Sequence, residues 1–170
     1  RGSISSRLFA IADEMHVISI CRDVTELYRK QTELQRSYDM MAEIQQHAGM
    51  GIWRWNPEND EVLCSKTAFD LYHYTPQPDN DLPPGFSGRI TGKQTLDFVF
   101  TDDWPHYLDS LSVLLQDKQP RVLNYRIRRV DGMLRTLHSE SHAEVDADGK
   151  VLFLYGFIKD ITEEQRVAEE

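Results

Sequence analysis

The chain has 170 residues, with 28 acidic against 19 basic side chains and a formal net charge of −9. That balance disfavours a protein that tracks nucleic-acid phosphates or coats an anionic membrane, since both need a basic face. Hydrophobic residues make up 40%, enough for one ordinary domain with an appendage.

The apolar run around Val151–Ile158 is far too short to cross a bilayer, so direct membrane insertion is not expected. No basic region followed by an apolar stretch opens the chain, so no signal peptide is read. Cys21 and Cys64 stand alone, which implies neither a disulfide framework nor a zinc knuckle, and a reducing cytoplasm is the expected compartment.

In chain order, apolar alternation at Ile4, Leu8 and Ile11, a polar break at Asp13-Glu14 and the run "HVISIC" predict one hairpin. A lone hairpin cannot fold by itself, so the chain is expected to begin inside a preceding domain. From Glu26 to about Gln46 there is neither Pro nor Gly, which predicts one helix. Leu27, Leu34, Met41 and Ala48 recur every seven residues, but Lys30 and Ser37 interrupt the companion positions. That seam fits a weak parallel coiled coil or a stripe packed on its own domain.

"GIWRWNPENDEVLCS" then predicts two strands around a turn at Asn56-Pro57 to Asp60, with Trp53 and Trp55 on one face. Ser65 can cap the short helix "KTAFDLYHY". Residues 76–93 hold four of the seven prolines and are expected to be a loop. After Thr101-Asp-Asp comes a helix with Pro105 in its first turn and Trp104, Leu108, Leu111 and Leu115 on one face. "RVLNYRIRR", "MLRTLHSESHAEV" and "VLFLYGFI" follow as three strands, joined by Asp131-Gly132 and Asp148-Gly149 turns. Alternation buries Leu123, Tyr125 and Ile127, and Phe153 and Tyr155 are counted with Trp53 and Trp55 among contributors to the sheet's packed face, with strict alternation leaving some of the set facing outward. All helices of this unit fall between its second and third strands. The fold class is therefore α+β, an antiparallel sheet with helices on one face.

Two phrases repeat. "RDVTELYR" follows "HVISIC", and "KDITEEQR" follows "VLFLYGFI"; each time a strand hands the chain to a helix. Thr162-Glu-Glu-Gln165 has the form of a capping box, and Asp23 and Asp160 can each be read as the cap instead.

"GIWRWNPENDEVLCSKTAFDLYHY", "FTDDW", "YRIRRVDGMLRTLHS" and "FIKDITEEQR", in that order, resemble a PAS domain with its PAC segment, in the subgroup opening Gly-Ile-Trp-x-Trp. The resemblance runs from about Met50 to Glu164, and "RDVTE" is similar to the end of another PAS domain. It implies a five-stranded sheet in the order 2-1-5-4-3 over a small cavity. The expected organisation is a preceding domain's hairpin at 1–24, a signalling helix at 25–46, the PAS domain at 47–162 and the start of an output helix at 163–170. The resemblance implies a non-catalytic sensor or input module, most readily of a sensor histidine kinase in a two-component system. A ligand-independent dimerisation module and the input of a diguanylate cyclase are the alternatives. Expected partners are a second copy, an output domain in the same chain and a small-molecule ligand. The Pro/Gly-rich stretch at 76–93 departs from the family's compact pattern.

Candidate pocket residues are Trp53, Trp55, Cys64, Phe69, Tyr72, Tyr125, Ile127 and Tyr155. Asp160, Ile161 and Thr162 are the candidates for signal transmission, with Arg54 or Lys66 as a basic partner for Asp160. The bound cofactor, if any, is unknown. No Asn-Cys-Arg-Phe-Leu-Gln motif is present, which disfavours a flavin adduct, and His106 lies off the helix's apolar face, which disfavours haem. His73, at a helix end, reads as a cap or wall residue.

His138, Glu140 and His142 share a strand face, but the two histidines stand about 13 Å apart at the rise of a strand, too far to share a metal. Asp102-Asp103 reads as a helix cap. Arg121, Arg126, Arg128, Arg129 and Arg135 read as a solvated strand face or a partner contact. No hydrolase, phosphate-loop, zinc-protease or dinucleotide motif is present.

Overall fold

The structure, a computed structural model, describes residues 2–11 and 14–169, with side chains at all of these except 9–11, 14, 42 and 169. It divides into two compact units, Arg1–Met41 and Ala42–Glu170. The expected break at Asp13 lies outside the described residues.

In the first unit, β1 (Gly2–Ile11) and β2 (Glu14–Asp23) form a two-stranded antiparallel ladder. Its apolar side chains are exposed at both ends, including Ile4, Leu8, Val17, Ile18 and Ile20. Helix α1 (Thr25–His47) follows. The seven-residue series Leu27, Leu34 and Met41 is exposed along it, so in this chain that stripe is not buried.

The second unit is built on β3 (Met50–Asn56), β4 (Glu61–Cys64), β5 (Gly88–Thr91), β6 (Arg121–Arg128), β7 (Leu134–Val145) and β8 (Val151–Asp160). They form one antiparallel sheet in the order β5-β4-β3-β8-β7-β6. Five of these strands stand in the order the sequence implied, with β8 in the interior, as its two-sided apolar pattern requires.

The sixth is a correction. Gly88–Thr91 pairs with β4 as an edge strand inside the stretch expected to be loop. Gly88 and Ile90 point inward and are buried, while Arg89 faces out to the Glu61 and Asp79 carboxylates. A Cβ at Gly88 would stand 2.6 Å from the Pro76 ring, so the glycine that suggested a loop is instead a close-packing requirement.

The helices are α2 (Lys66–Tyr72), α3 (Gly92–Phe98), α4 (Trp104–Asp117) and α5 (Thr162–Glu169). Ser65 caps α2 as expected, its hydroxyl accepting from the Ala68 N–H, and His73 closes that helix in the left-handed conformation. Thr91 and Gln94 form a reciprocal capping box at α3. On α4 Leu114 is fully buried, Tyr107 and Leu111 are half-buried and Leu108 is exposed. Of the expected stripe, Trp104, Leu111 and Leu115 are half-buried, and Leu108 is the exposed member.

Asp103 is a second correction, because its side chain makes no capping hydrogen bond. Its carboxylate instead accepts from the Arg126 backbone N–H at 2.7 Å and from the Arg126 guanidinium at 2.6 and 3.1 Å. That ties the start of α4 to β6.

The core lies between sheet and helices, with Cys64, Ile127, Leu137, Leu154 and Ile158 from the strands and Ala68, Phe69 and Tyr72 from α2. Two glycines set how closely elements approach. A Cβ at Gly51 would lie 2.5 Å from Ala68 Cα, and one at Gly156 would lie 1.9 Å from the Glu140 carbonyl oxygen. Phe153 and Tyr155 project from the other sheet face, opposite in parity to Leu154, and so do not join this core.

Candidate functional site

A cavity of about 270 Å³ lies on the helix side of the sheet. Strands supply Trp53, Trp55, Val62, Cys64, Leu123 and Tyr125 to its wall, and α2, α3 and α4 supply Tyr72, Leu96, Tyr107 and Leu111. Strand alternation explains the strand set: Trp53 pairs with Cys64 and Gly156, and Trp55 with Val62 and Leu154. These residues therefore project to one face. Two short hydroxyl side chains, Ser139 and Ser141, reach the cavity from β7 and are themselves buried. Tyr107 packs edge-on to Tyr125 with centroids 4.9 Å apart, and Tyr72 stacks on Phe98 at 4.7 Å.

Five of the eight expected pocket residues therefore meet: Trp53, Trp55, Cys64, Tyr72 and Tyr125. Phe69 and Ile127 belong to the adjoining core rather than the cavity wall. Tyr155 lies on the opposite face, 39% exposed and stacked on His142 at 5.4 Å. It has the wrong parity for the cavity, which is a third correction.

Tyr107, Ser139 and Ser141 line the cavity without having been expected there, and Leu111, expected on the apolar face of its helix, lines it too. The signal for the serines was available. If His138, Glu140 and His142 face water, the alternate residues 139 and 141 must face in.

The cavity is electrically quiet. Burial pushes the Cys64 thiol up to about 12, so it is neither a thiolate nor a nucleophile near neutral pH. Burial likewise holds Tyr72, Tyr107 and Tyr125 above the ordinary phenol value and un-ionised. The charged residues of the lining are Asp60 and Lys93. Asp60 is committed, accepting from Trp55 Nε1 at 3.0 Å, and Lys93 is exposed.

The hand-off from β8 to α5 has a defined geometry. Asp160 Oδ1 accepts from the Thr162 backbone N–H at 2.9 Å and from the Thr162 hydroxyl. The Thr162 hydroxyl oxygen accepts from the Thr136 N–H on β7 at 2.9 Å, and the Ile161 N–H returns a bond to the Thr136 carbonyl at 2.9 Å. The hydroxyl thus ties α5 to the neighbouring strand, in place of the capping box expected with Gln165. The basic partner of Asp160 is Arg135, at 3.8 Å. Arg54 instead lies over the Phe86 and Phe153 rings, and Lys66 pairs with Asp70 within α2. The same Asp-to-Thr bond recurs in the first unit, where Asp23 accepts from the Thr25 N–H at 2.9 Å.

The remaining candidates disperse. His138 bonds Asn124 at 2.8 Å and His73 bonds Arg129 at 2.8 Å. Among the described residues, no group of three or more His, Cys, Asp or Glu side chains could hold a metal. Arg121, Arg126, Arg129 and Arg135 each face a carboxylate, and Arg128 lies over Phe100. None of the described helices is long and apolar enough to cross a membrane.

Residues 85–158 match the family described as PAS fold. A sensory box histidine kinase/response regulator from Burkholderia thailandensis E264 is similar in structure. Its TM-score is 0.59 at 25% identity, over 74% of this chain and 86% of that one. The N-terminal domain of a diguanylate cyclase with PAS/PAC sensor from Marinobacter aquaeolei shares the fold at TM-score 0.56 and 18% identity, over 68% of this chain and 98% of that one.

Over residues 85–158 the chain carries a PAS domain. In sequence it is 24% identical over 155 residues to the probable diguanylate cyclase DgcE of Escherichia coli K12, a match covering 91% of this chain but only 13% of that protein.

Proposed function

We propose that the PAS domain is the input of a signalling enzyme and passes the state of its cavity to an output domain through β8 and α5. The observation that carries this reading is the Asp160-Ile161-Thr162 junction. Ile158, two residues before Asp160, lies in the core cluster with the cavity residues Cys64, Tyr72 and Tyr125. The next four residues are bonded to β7 and then become a helix. A shift in the cavity wall that moves β8 against β7 must therefore be taken up at these residues.

The output enzyme on this reading is a sensor histidine kinase, as the Burkholderia likeness supports. A diguanylate cyclase is the second reading, supported by a curated match that spans 91% of the chain. The organisation remains that of a preceding hairpin at 1–24, a connecting helix at 25–46, the PAS domain at 47–162 and an output helix from 163, working in the cytoplasm. The exposed apolar side chains of the first unit support association with a second copy. Sedimentation at about 100 μM, where micromolar affinities are visible, should show a dimer.

The test of the relay is output activity in the full-length protein. Asp160→Ala and Thr162→Ala should stay folded by circular dichroism yet lose response to the input. Normal signalling by both folded variants would reduce the junction to a helix cap.

A further inference from the structure

The chemistry of the cavity wall restricts what can occupy it. A void of about 150 Å³ lined by apolar side chains takes one benzene ring, and this one measures about 270 Å³. Its lining includes five aromatic rings, those of Trp53, Trp55, Tyr72, Tyr107 and Tyr125. Ser139 and Ser141 are buried, and their side-chain hydrogen bond is to each other at 3.4 Å. Each hydroxyl can donate once and accept twice, so the pair retains capacity for a ligand's polar edge. A buried charge needs a partner. Here Asp60 is already bonded to Trp55 Nε1, Lys93 is exposed, and no other lining side chain carries a full charge.

We propose that the cavity takes an uncharged, planar molecule of about two fused rings, seated between the indole and phenol rings with a hydroxyl or carbonyl edge at Ser139 and Ser141. This rests on the input-module reading and names the class of ligand for it. A dinucleotide or a nucleoside phosphate fails on both size and charge, and a free carboxylate fails on charge.

The test compares 2-naphthol with 2-naphthoate, 2-naphthylmethylammonium and riboflavin, titrated into the chain at neutral pH by calorimetry. Indole N–H resonances are followed in parallel. 2-Naphthol should bind at least tenfold tighter than either charged analogue, and riboflavin should not bind. The indole signals of Trp53 and Trp55 should move. That of Trp104, which donates to the Val99 carbonyl outside the cavity, should move less. Leu111→Trp, which fills part of the cavity, should weaken 2-naphthol at least tenfold. Ser139→Ala together with Ser141→Ala is the second variant should Leu111→Trp fail to fold, and it should weaken 2-naphthol more than naphthalene.

No binding of 2-naphthol at 1 mM, equal or tighter binding of a charged analogue, or binding untouched by either variant would overturn the proposal. The relay is read separately by the Asp160 and Thr162 variants in the full-length protein, so either idea can fail while the other stands.

Discussion

The two strand-to-helix hand-offs are nearly identical in sequence and differ in what surrounds them. At the first, Asp23 receives the Thr25 N–H at 2.9 Å, and Thr25 begins α1. At the second, Asp160 receives the Thr162 N–H at the same distance, and Thr162 begins α5. The phrase therefore specifies a local turn by itself, through a carboxylate that satisfies an otherwise orphaned helix N–H. Coupling is a different matter. The second copy sits beside β7, whose Thr136 N–H donates to the Thr162 hydroxyl, and Arg135 faces its Asp160. A motif becomes a mechanical joint when tertiary structure gives it something to hold.

The contrast breaks most visibly through the cores. Leu137 is fully buried on β7, so Leu137→Ala should cost about 2–5 kcal/mol in urea unfolding. Ile18, on the hairpin, is 55% exposed, and Ile18→Ala, measured at a dilution where the chain is undimerised, should stay within about 0.5 kcal/mol. A comparable loss at Ile18 would mean that the hairpin is covered in solution. Gly156→Ala should cost about 1–3 kcal/mol or more by overpacking, because its Cβ would meet the Glu140 carbonyl; an unchanged midpoint would show that β7 and β8 can separate there.

Acid should act on the Asp103 link. The Arg126 hydrogen bonds hold this carboxyl below its usual value despite partial burial. The unfolded chain therefore takes up the proton first as pH falls. The contribution is full above the unfolded value of about 3.9 and is lost as pH drops through the lower folded value. Asp103→Asn should narrow its stability deficit against wild type across that window, in thermal melts from pH 6 to pH 2. A deficit independent of pH would mean that the ion pair adds nothing beyond neutral hydrogen bonds. The smallest effects belong to the phrases themselves. Asp160→Ala should cost about 0.5–2 kcal/mol, as lost helix caps do. The fully exposed Asp23→Ala should leave the melting of the second unit unchanged.

Much of this architecture was readable in advance, because strand parity and turn chemistry are local. The two-sided run at Val151–Ile158, the Asp131-Gly132 and Asp148-Gly149 turns and the Trp53/Trp55 face needed no tertiary knowledge. The misses share a cause, which is that contacts override local signals. Gly88–Thr91 looked like loop, since prolines and glycines usually mark one, yet its glycine serves packing against Pro76. Asp103 stood where a cap should stand, but Arg126 offered a charged, three-bond alternative. Tyr155 was placed in the pocket by its aromatic character, although its parity pointed outward. Ser139 and Ser141 were overlooked because polar side chains on an inward face are unusual until a cavity is there to receive them. At 160–162 the sequence indicated the residues but not Arg135 or Thr136, because which strand lies beside β8 is a property of the sheet.

The most direct measurement of the joint is amide hydrogen exchange at Thr136, whose N–H donates to the Thr162 hydroxyl. In the wild-type chain this amide should be protected. In Thr162→Ala its exchange should accelerate by at least tenfold while Ser139 and Ile158, farther along the same strands, keep their rates. Thr162→Ser, which retains the hydroxyl, should restore protection. If the Thr136 amide exchanges equally in all three proteins, the hydroxyl does not hold α5 to the sheet, and the account of how the cavity reaches the output helix is wrong.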